Sequence, residues 1–382
     1  MVNVVDRTLC CGCGACEQIC PKHCVQMVAD EEGFLYPKVD QEKCIKCGLC
    51  EKICSFKKSR RTIKPLNVFA AINNDKSVRA ISSSGGVFGA IAKKILEDGG
   101  LVFGAAFDDD WTVCITFVDN VRELHKLQGA KYVQARVGNS YLKCESFLKK
   151  GRTVLFSGTP CQISGLKHYL RDEYDNLITC EVVCHGTPSP QVWKNFLKDC
   201  FGNSKDIFCI SFRDKRSGWK EYSFSLKGKK DISSPYKEVS YMRAFLWDLI
   251  LRPSCYHCKM KSGRSLADIT LGDFWGIEKI KPELDDDKGV SLVLINSVKG
   301  GALLKKLSSI ETYEATYEAA VKYNPAICFS VKPHPRREYF FKKMNDVDFN
   351  RLVNECLRNK AFDKIKYNLK RIVSFFKGTN HL

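Results

Sequence analysis

No run of ~18–20 apolar residues, the length that crosses a bilayer, occurs anywhere in this 382-residue chain. Nor does the opening Met1-Val2-Asn3-Val4-Val5-Asp6 show the basic and then apolar pattern of a secretory signal. These two absences predict a soluble, cytoplasmic protein with no membrane span. Histidine is scarce, at seven, and only His185 and His257 sit inside cysteine-bearing motifs. There they are better placed to hydrogen-bond sulfur than to act as ligands. No basic-aromatic reading motif accompanies the net charge of +18, so no nucleic-acid partner is expected. The lysines and arginines are spread along the chain as on a solvated surface, with clusters at 57–61 and 332–343, and an acidic redox protein is their natural counterpart. With 44% hydrophobic and 27% charged residues the composition is that of a folded chain, long enough for two or three domains.

What the chain has in excess is cysteine, 21 residues of it. Without an export signal these are poor candidates for disulfides, and metal ligation explains them more economically. Cys10, Cys13, Cys16 and Cys20 follow Cys-x-x-Cys-x-x-Cys-x-x-x-Cys with Pro21 next, and Cys44, Cys47, Cys50 and Cys54 repeat the pattern. Gly14 and Gly48, Glu17 and Glu51, and Ile19 and Ile53 repeat with it, which marks a duplicated half-module. Three closely spaced thiolates wrap three corners of one 4Fe-4S cube while the fourth leaves on a short helix and reaches the other. The pattern therefore predicts one cluster on Cys10, Cys13, Cys16 and Cys54 and a second on Cys44, Cys47, Cys50 and Cys20. Zinc is the alternative, but structural zinc uses two separated Cys-x-x-Cys pairs. Ser55 stands where the second run would carry proline, and Cys11 and Cys24 read as bystanders beside the ligands.

After a basic linker ending near Pro65, short apolar runs alternate with amphipathic segments, an α/β pattern. Residues 68–72, 101–107, 113–118, 153–156, 177–183, 207–212, 268–271 and 291–295 read as strands, with helices over 87–97 and 191–201. Ser82-Ser83-Ser84-Gly85-Gly86 opens the first helix, either as a plain cap or as an anion site made of hydroxyls and unpaired amides. Cys161 and Cys184 fall at the carboxyl ends of predicted strands, where open α/β sheets bind ligands, and Cys255 and Cys258 form a Cys-x-x-Cys pair. From spacing, these four are either a third 4Fe-4S ligand set or buried thiols and a redox disulfide.

Taken in order, Ser84-Gly85-Gly86-Val87, Gly129-Ala130-Lys131-Tyr132-Val133-Gln134, Gly158-Thr159-Pro160-Cys161-Gln162 and Cys184-His185-Gly186-Thr187-Pro188 resemble the coenzyme F-420 hydrogenase/dehydrogenase beta-subunit family. Ser211-Phe212-Arg213-Asp214, Arg252-Pro253-Ser254-Cys255-Tyr256-His257-Cys258, Gly272-Asp273-Phe274-Trp275-Gly276 and Asp287-Lys288-Gly289-Val290-Ser291 extend the resemblance over about residues 66–330. It implies an iron-sulfur flavoprotein that passes electrons through FAD to or from a deazaflavin such as coenzyme F-420, a ferredoxin or another acceptor. It further implies a flavin cleft with Ser84, Gly85 and Gly86 at the phosphate, Lys131, Tyr132 and Gln134 beside them, and Asp273, Phe274 and Trp275 along its wall. Under it Cys161, Cys184, Cys255 and Cys258 become the favoured third ligand set.

The expected fold class is thus α+β: a small ferredoxin-like module, a mixed α/β flavin-binding domain and a helical C-terminal tail. The expected divisions are 1–57 for the two-cluster ferredoxin domain, 66–148 and 149–330 for the two parts of the flavin-binding domain, and 331–382 for a basic helical tail. In that tail Ile365, Leu369, Ile372 and Phe376 share a helical face. The expected function is an iron-sulfur flavin-dependent oxidoreductase acting on a small-molecule substrate, with an electron-transfer subunit docked on a catalytic partner as the alternative.

Overall fold

The structure is a computed structural model and describes residues 6–56, 61–202 and 204–358. The N-terminal module carries two antiparallel strands, β1 (Val25–Ala29) and β2 (Leu35–Val39). Two four-residue helices, Ala15–Gln18 and Leu49–Lys52, lie within its two cysteine runs, each between the second and fourth cysteine. Each starts at a glycine in the left-handed region, Gly14 at φ 70° and Gly48 at φ 75°. Only glycine enters that region without cost, so the sequence repeat is a repeat of backbone shape.

Eleven further strands follow: β3 (Asn67–Asn73), β4 (Leu101–Phe107), β5 (Val113–Val118), β6 (Val154–Gly158), β7 (Leu177–Val182), β8 (Ile207–Asp214), β9 (Ser223–Gly228), β10 (Ile232–Pro235), β11 (Ile269–Asp273), β12 (Ser291–Ile295) and β13 (Ile310–Glu314). Eight of them form one mixed sheet in the order β13-β3-β12-β11-β7-β6-β4-β5. At its heart β4, β6, β7 and β11 run parallel, and the flanking pairs are antiparallel. These central strands are near-continuous apolar runs, as strands covered on both faces must be. The remaining strands make a small antiparallel sheet, β10-β9-β8. The α/β expectation holds at this level. Strands β9, β10 and β13 went unseen because they are alternating or polar: β10 and β13 are exposed edges with no apolar run for a sequence to show.

Helices are started by local chemistry. Pro160 occupies the first turn of the helix Pro160–Leu170, and the Gln162 side chain accepts from the Thr159 amide at 2.9 Å. Ser189 caps Pro190–Phe201 by accepting from the amides of Gln191 and Val192, and Gly202 ends it. The helix Val87–Glu97 buries Val87, Ala90, Ile91 and Ile95, one face at helical spacing. Of the 331–382 segment, the described part forms the helices Arg337–Lys343 and Phe349–Leu357. Ile365, Leu369, Ile372 and Phe376 lie outside the described residues. Among the described residues no helix is long and apolar enough to cross a membrane.

The N-terminal module packs on the large domain. Arg337 grips Glu32 with both ends of its fork, one bond being 2.9 Å, and also donates to the Leu251 carbonyl. Gln18 accepts from the amides of Tyr141 and Leu142, and Lys259 reaches the Phe56 carbonyl at 2.8 Å. Both members of the Arg337–Glu32 pair are largely buried, at 13% and 17% exposed. Removing one leaves the other a poorly solvated charge. Arg337→Met should therefore lower unfolding stability by roughly 2–3 kcal/mol in a denaturant titration and make the 57–65 linker a faster target of limited proteolysis.

Candidate metal centres and the adjoining cleft

The first cysteine run wraps a loop in which Gly12 and Gly14 both take positive φ, turning successive thiols to one side. Cys54 lies beside Cys10, Cys13 and Cys16, close enough for its charge to bear on Cys10 and Cys16. Cys20, Cys44, Cys47 and Cys50 line a second cavity together with Cys24. The fourth cysteine of each run thus stands near the other run's first three. Cys24 is closer to this set than its sequence position suggests, with its Sγ 3.4 Å from that of Cys20.

A third group assembles at the carboxyl edge of the parallel strands. Cys161 sits in the first turn after β6 and Cys184 just beyond β7. Cys255 and Cys258 come from the 3-10 turn Pro253–His257 and its end. The four bear on one another electrostatically. The Thr159 hydroxyl is 3.1 Å from Cys161 Sγ, and the Thr187 amide donates to Cys255 Sγ at 3.4 Å. Lys261, buried, donates to the carbonyls of Cys184 and Ala326. Burial holds the thiols of Cys16 and Cys184 well above the ordinary range, and burial with neighbouring thiols lifts Cys258 to about 11. Such thiols become thiolates when a bound cation supplies the compensating charge.

Four thiols apiece are the donor set that an iron-sulfur centre takes. Among the described residues no three His, Cys, Asp or Glu side chains converge as the ligands of one ion would. Cys11 joins the first and third groups, its thiol within hydrogen-bond reach of both Cys13 and Cys161. That contact, acting against burial and helped by Thr159, lowers the Cys161 thiol to about 7. His185 Nε2 pairs with Asp248 at 2.6 Å.

The Ser-Gly-Gly turn lies on the same edge, against β12. Gly85 donates its amide to Ser291 Oγ at 2.9 Å, and a Cβ there would stand 2.5 Å from the Ala71 carbonyl, so only glycine fits. Ser84 donates to the Val290 carbonyl, and Ser83 accepts from the Ala130 amide at 2.8 Å, which brings Lys131 to the start of the helix Val87–Glu97. Lys131 donates to the Gln128 carbonyl at 2.9 Å, and burial lowers its pKa to about 7. Tyr132 stacks on Phe245 at 4.7 Å. Gln134 turns the other way, donating to the Cys11 carbonyl and accepting from Arg252. Between Tyr132 and Asp273 lies Arg213, which the spacing of residues left unassigned although its motif was visible. Its side chain is 4% exposed, pairs with Asp273 at 2.5 Å and reaches the Tyr132 side chain, while Nε and Nη2 have no hydrogen-bond partner among the described residues. Tyr222, 4.3 Å away, and Trp275 cover the guanidinium, and Trp219 stacks on Trp275 at 4.7 Å. A buried cation with unused donors beside a glycine-opened helix start suits an anionic, planar ligand.

Residues 151–319 match the family described as the C terminus of the coenzyme F420 hydrogenase/dehydrogenase beta subunit, and residues 9–58 match the 4Fe-4S dicluster domain. No curated protein matches the chain. Among solved structures, a chain of the F420-reducing [NiFe] hydrogenase complex from Methanosarcina barkeri is similar at 18% identity and a TM-score of 0.49, covering 70% of this chain and 90% of that one.

Lys131 provides a direct check on the cleft. With its pKa near 7, above that pH the folded protein holds a neutral, nucleophilic amine where surface lysines remain charged. Acylation by an amine reagent, read by peptide mass spectrometry, should be half-maximal at Lys131 near pH 7 and rise as pH increases, and a bound anion should suppress it.

Proposed function

We propose that this chain, whose residues 151–319 belong to the C-terminal family of the coenzyme F420 hydrogenase/dehydrogenase beta subunit and whose residues 9–58 are a 4Fe-4S dicluster domain, is an iron-sulfur oxidoreductase working through a flavin. The observation that carries the reading is the meeting of thiol sets at one sheet edge, with Cys11 touching both Cys13 and Cys161 and the Ser-Gly-Gly turn on the same edge. Bound there, iron-sulfur centres supply one-electron relay and FAD the conversion of single electrons into a hydride pair.

The chain's own residues divide the work. Cys20, Cys44, Cys47 and Cys50 hold the outermost centre, Cys10, Cys13, Cys16 and Cys54 the next, and Cys161, Cys184, Cys255 and Cys258 the innermost. Ser84, Gly85, Gly86 and Lys131 hold the anionic part of the flavin, with Arg213 adding its free donors, while Tyr132 and Trp275 close the sides against water. Gln134 stands between that cleft and Cys11. Cys47 and Ile45 are exposed on the outer face among Lys22, Lys43 and Lys46, a rim suited to an acidic electron carrier such as a ferredoxin. The acceptor is a small molecule, with a deazaflavin such as coenzyme F420 as the first to test.

The same exposed face favours a second reading, an electron-carrying subunit that serves a catalytic partner. Turnover of reduced ferredoxin or reduced F420 by the chain alone supports the enzyme, and turnover only with an added protein supports the carrier.

Anaerobically purified protein should contain about twelve irons per chain and FAD, identified by spectrum and mass. Cys255→Ser should remove about four irons and leave the N-terminal signals intact; unchanged iron would exclude that ligand set. Arg213→Met should reduce flavin content at least tenfold with the iron unchanged, about 1.4 kcal/mol or more of lost binding.

A further inference from the structure

Arg252 is fully enclosed, at 0% exposure. Its Nε donates to the Cys10 carbonyl at 2.8 Å, Nη1 to Gln134 Oε1 at 3.2 Å and Nη2 to the Leu35 carbonyl at 3.0 Å. The Tyr36 ring lies 4.1 Å from the guanidinium and that of Phe34 5.5 Å. Every one of these partners is uncharged. Of the carboxylates on the nearby loop, Glu31 pairs with Arg7 and Glu32 with Arg337, while Asp30, paired with Arg7, is also near enough for the charge of Arg252 to bear on it. A guanidinium keeps its proton at any pH the fold survives, and a buried charge without a counter-charge is costly. Asp30 meets that need only in part, since Arg7 shares it.

Two thiol-bearing segments also lie near Arg252. Gly12 lies so close that a Cβ on it would be 3.0 Å from Nη1, which puts the guanidinium against the Cys10–Cys13 loop. On the other side, the Arg252 amide donates to the Thr187 carbonyl at 3.0 Å, its own carbonyl accepts from the Cys255 amide at 2.9 Å, and the Thr187 amide donates to Cys255 Sγ. The charge of Arg252 bears on Cys10 and Cys13 from one thiol set and on Cys161 and Cys255 from another.

We propose that Arg252 is the shared counter-cation of two iron-sulfur centres, that of Cys10, Cys13, Cys16 and Cys54 and that of Cys161, Cys184, Cys255 and Cys258, and raises the reduction potential of both. The inference rests on the ligand sets given under the proposed function. Four thiolates leave each centre net negative, and one added electron makes it more so without making or breaking a bond. A fixed cation between the two stabilises the reduced state of either. Arg252 is a positioning residue: it touches ligand-bearing loops and acts on the electron through its field.

The test is a potentiometric titration of the full chain with dithionite, followed by electron paramagnetic resonance, with iron measured on the same samples. Arg252→Met should shift the one-electron equilibrium of two of three centres at least tenfold towards the oxidised state, about 59 mV, and leave the Cys20, Cys44, Cys47 and Cys50 centre in place. Arg252→Lys keeps the charge but loses the fork, and its potentials should stay within about threefold of the parent, on the same scale. Gln134→Glu sets a carboxylate against Nη1 and should move the same two centres in the direction of Arg252→Met, so the result does not depend on that variant folding. An equal shift in Arg252→Lys and Arg252→Met, a common shift of all three centres, or unmoved potentials with iron retained would overturn the proposal. Parent protein with about eight irons and one responding centre would instead overturn the third ligand set and, with it, the sharing.

Discussion

The rest of the structure depends on the close seating of the Cys10–Cys13 loop on side chains of the large domain, Gln134 and Arg252. Gly12 adopts φ 69°, and a Cβ on it would sit 2.6 Å from the Gln134 amide nitrogen. A Cβ on Gly165, in the helix that begins after β6, would meet Cys13 Sγ at 3.1 Å. Neither glycine has room for a side chain of its own, because Gln134 and Arg252 crowd the first and Tyr141 and Cys13 the second. Electron exchange weakens exponentially with separation, so a module swinging on a tether would leave its rate to chance. Here Gln18 with Tyr141, Lys259 with Phe56 and Arg337 with Glu32 fasten the module at three further points. The separation of the thiol sets is consequently a property of the packed interior.

Much of this was legible in one dimension because it is written in short-range patterns. The crossed thiol sets follow from spacings of two and three residues and from two glycines that repeat with them. The parallel strands followed from apolar runs, and the Ser-Gly-Gly turn from the residues that a helix start favours. What stayed illegible is held together across long stretches of chain. Arg252 meets Cys10 across 242 positions and Arg337 meets Glu32 across 305. Both are arginines in a chain with 61 basic residues, and no local feature separates a buried cation from a solvated one. Arg213 illustrates the same limit, since its motif was recognisable but its unused donors exist only once Asp273, Tyr222 and Trp275 close around it.

Charge is therefore sorted by depth. Most of the +18 excess is spread along the surface, where water and salt screen it. A few cations are carried inside, and each lies against something electron-rich: Arg252 by the first cysteine loop, Lys261 by the carbonyl of Cys184, Arg213 under two aromatic rings. Glu181, enclosed on β7, accepts from Thr270 and Ser265, and burial raises it to about 7, so its negative charge is weakened at neutral pH. The interior near the thiols is thereby biased towards positive potential, which favours reduced centres and anionic ligands alike.

The docking of the module also decides how its thiols are reached. Once the module has docked, Cys13 is pressed on Gly165 and Cys11 is wedged towards Cys161, while Cys47 alone among the N-terminal thiols remains exposed. Thiols of the module and of the domain thus share one seam, so how tightly the two halves close and how readily those thiols are reached change together.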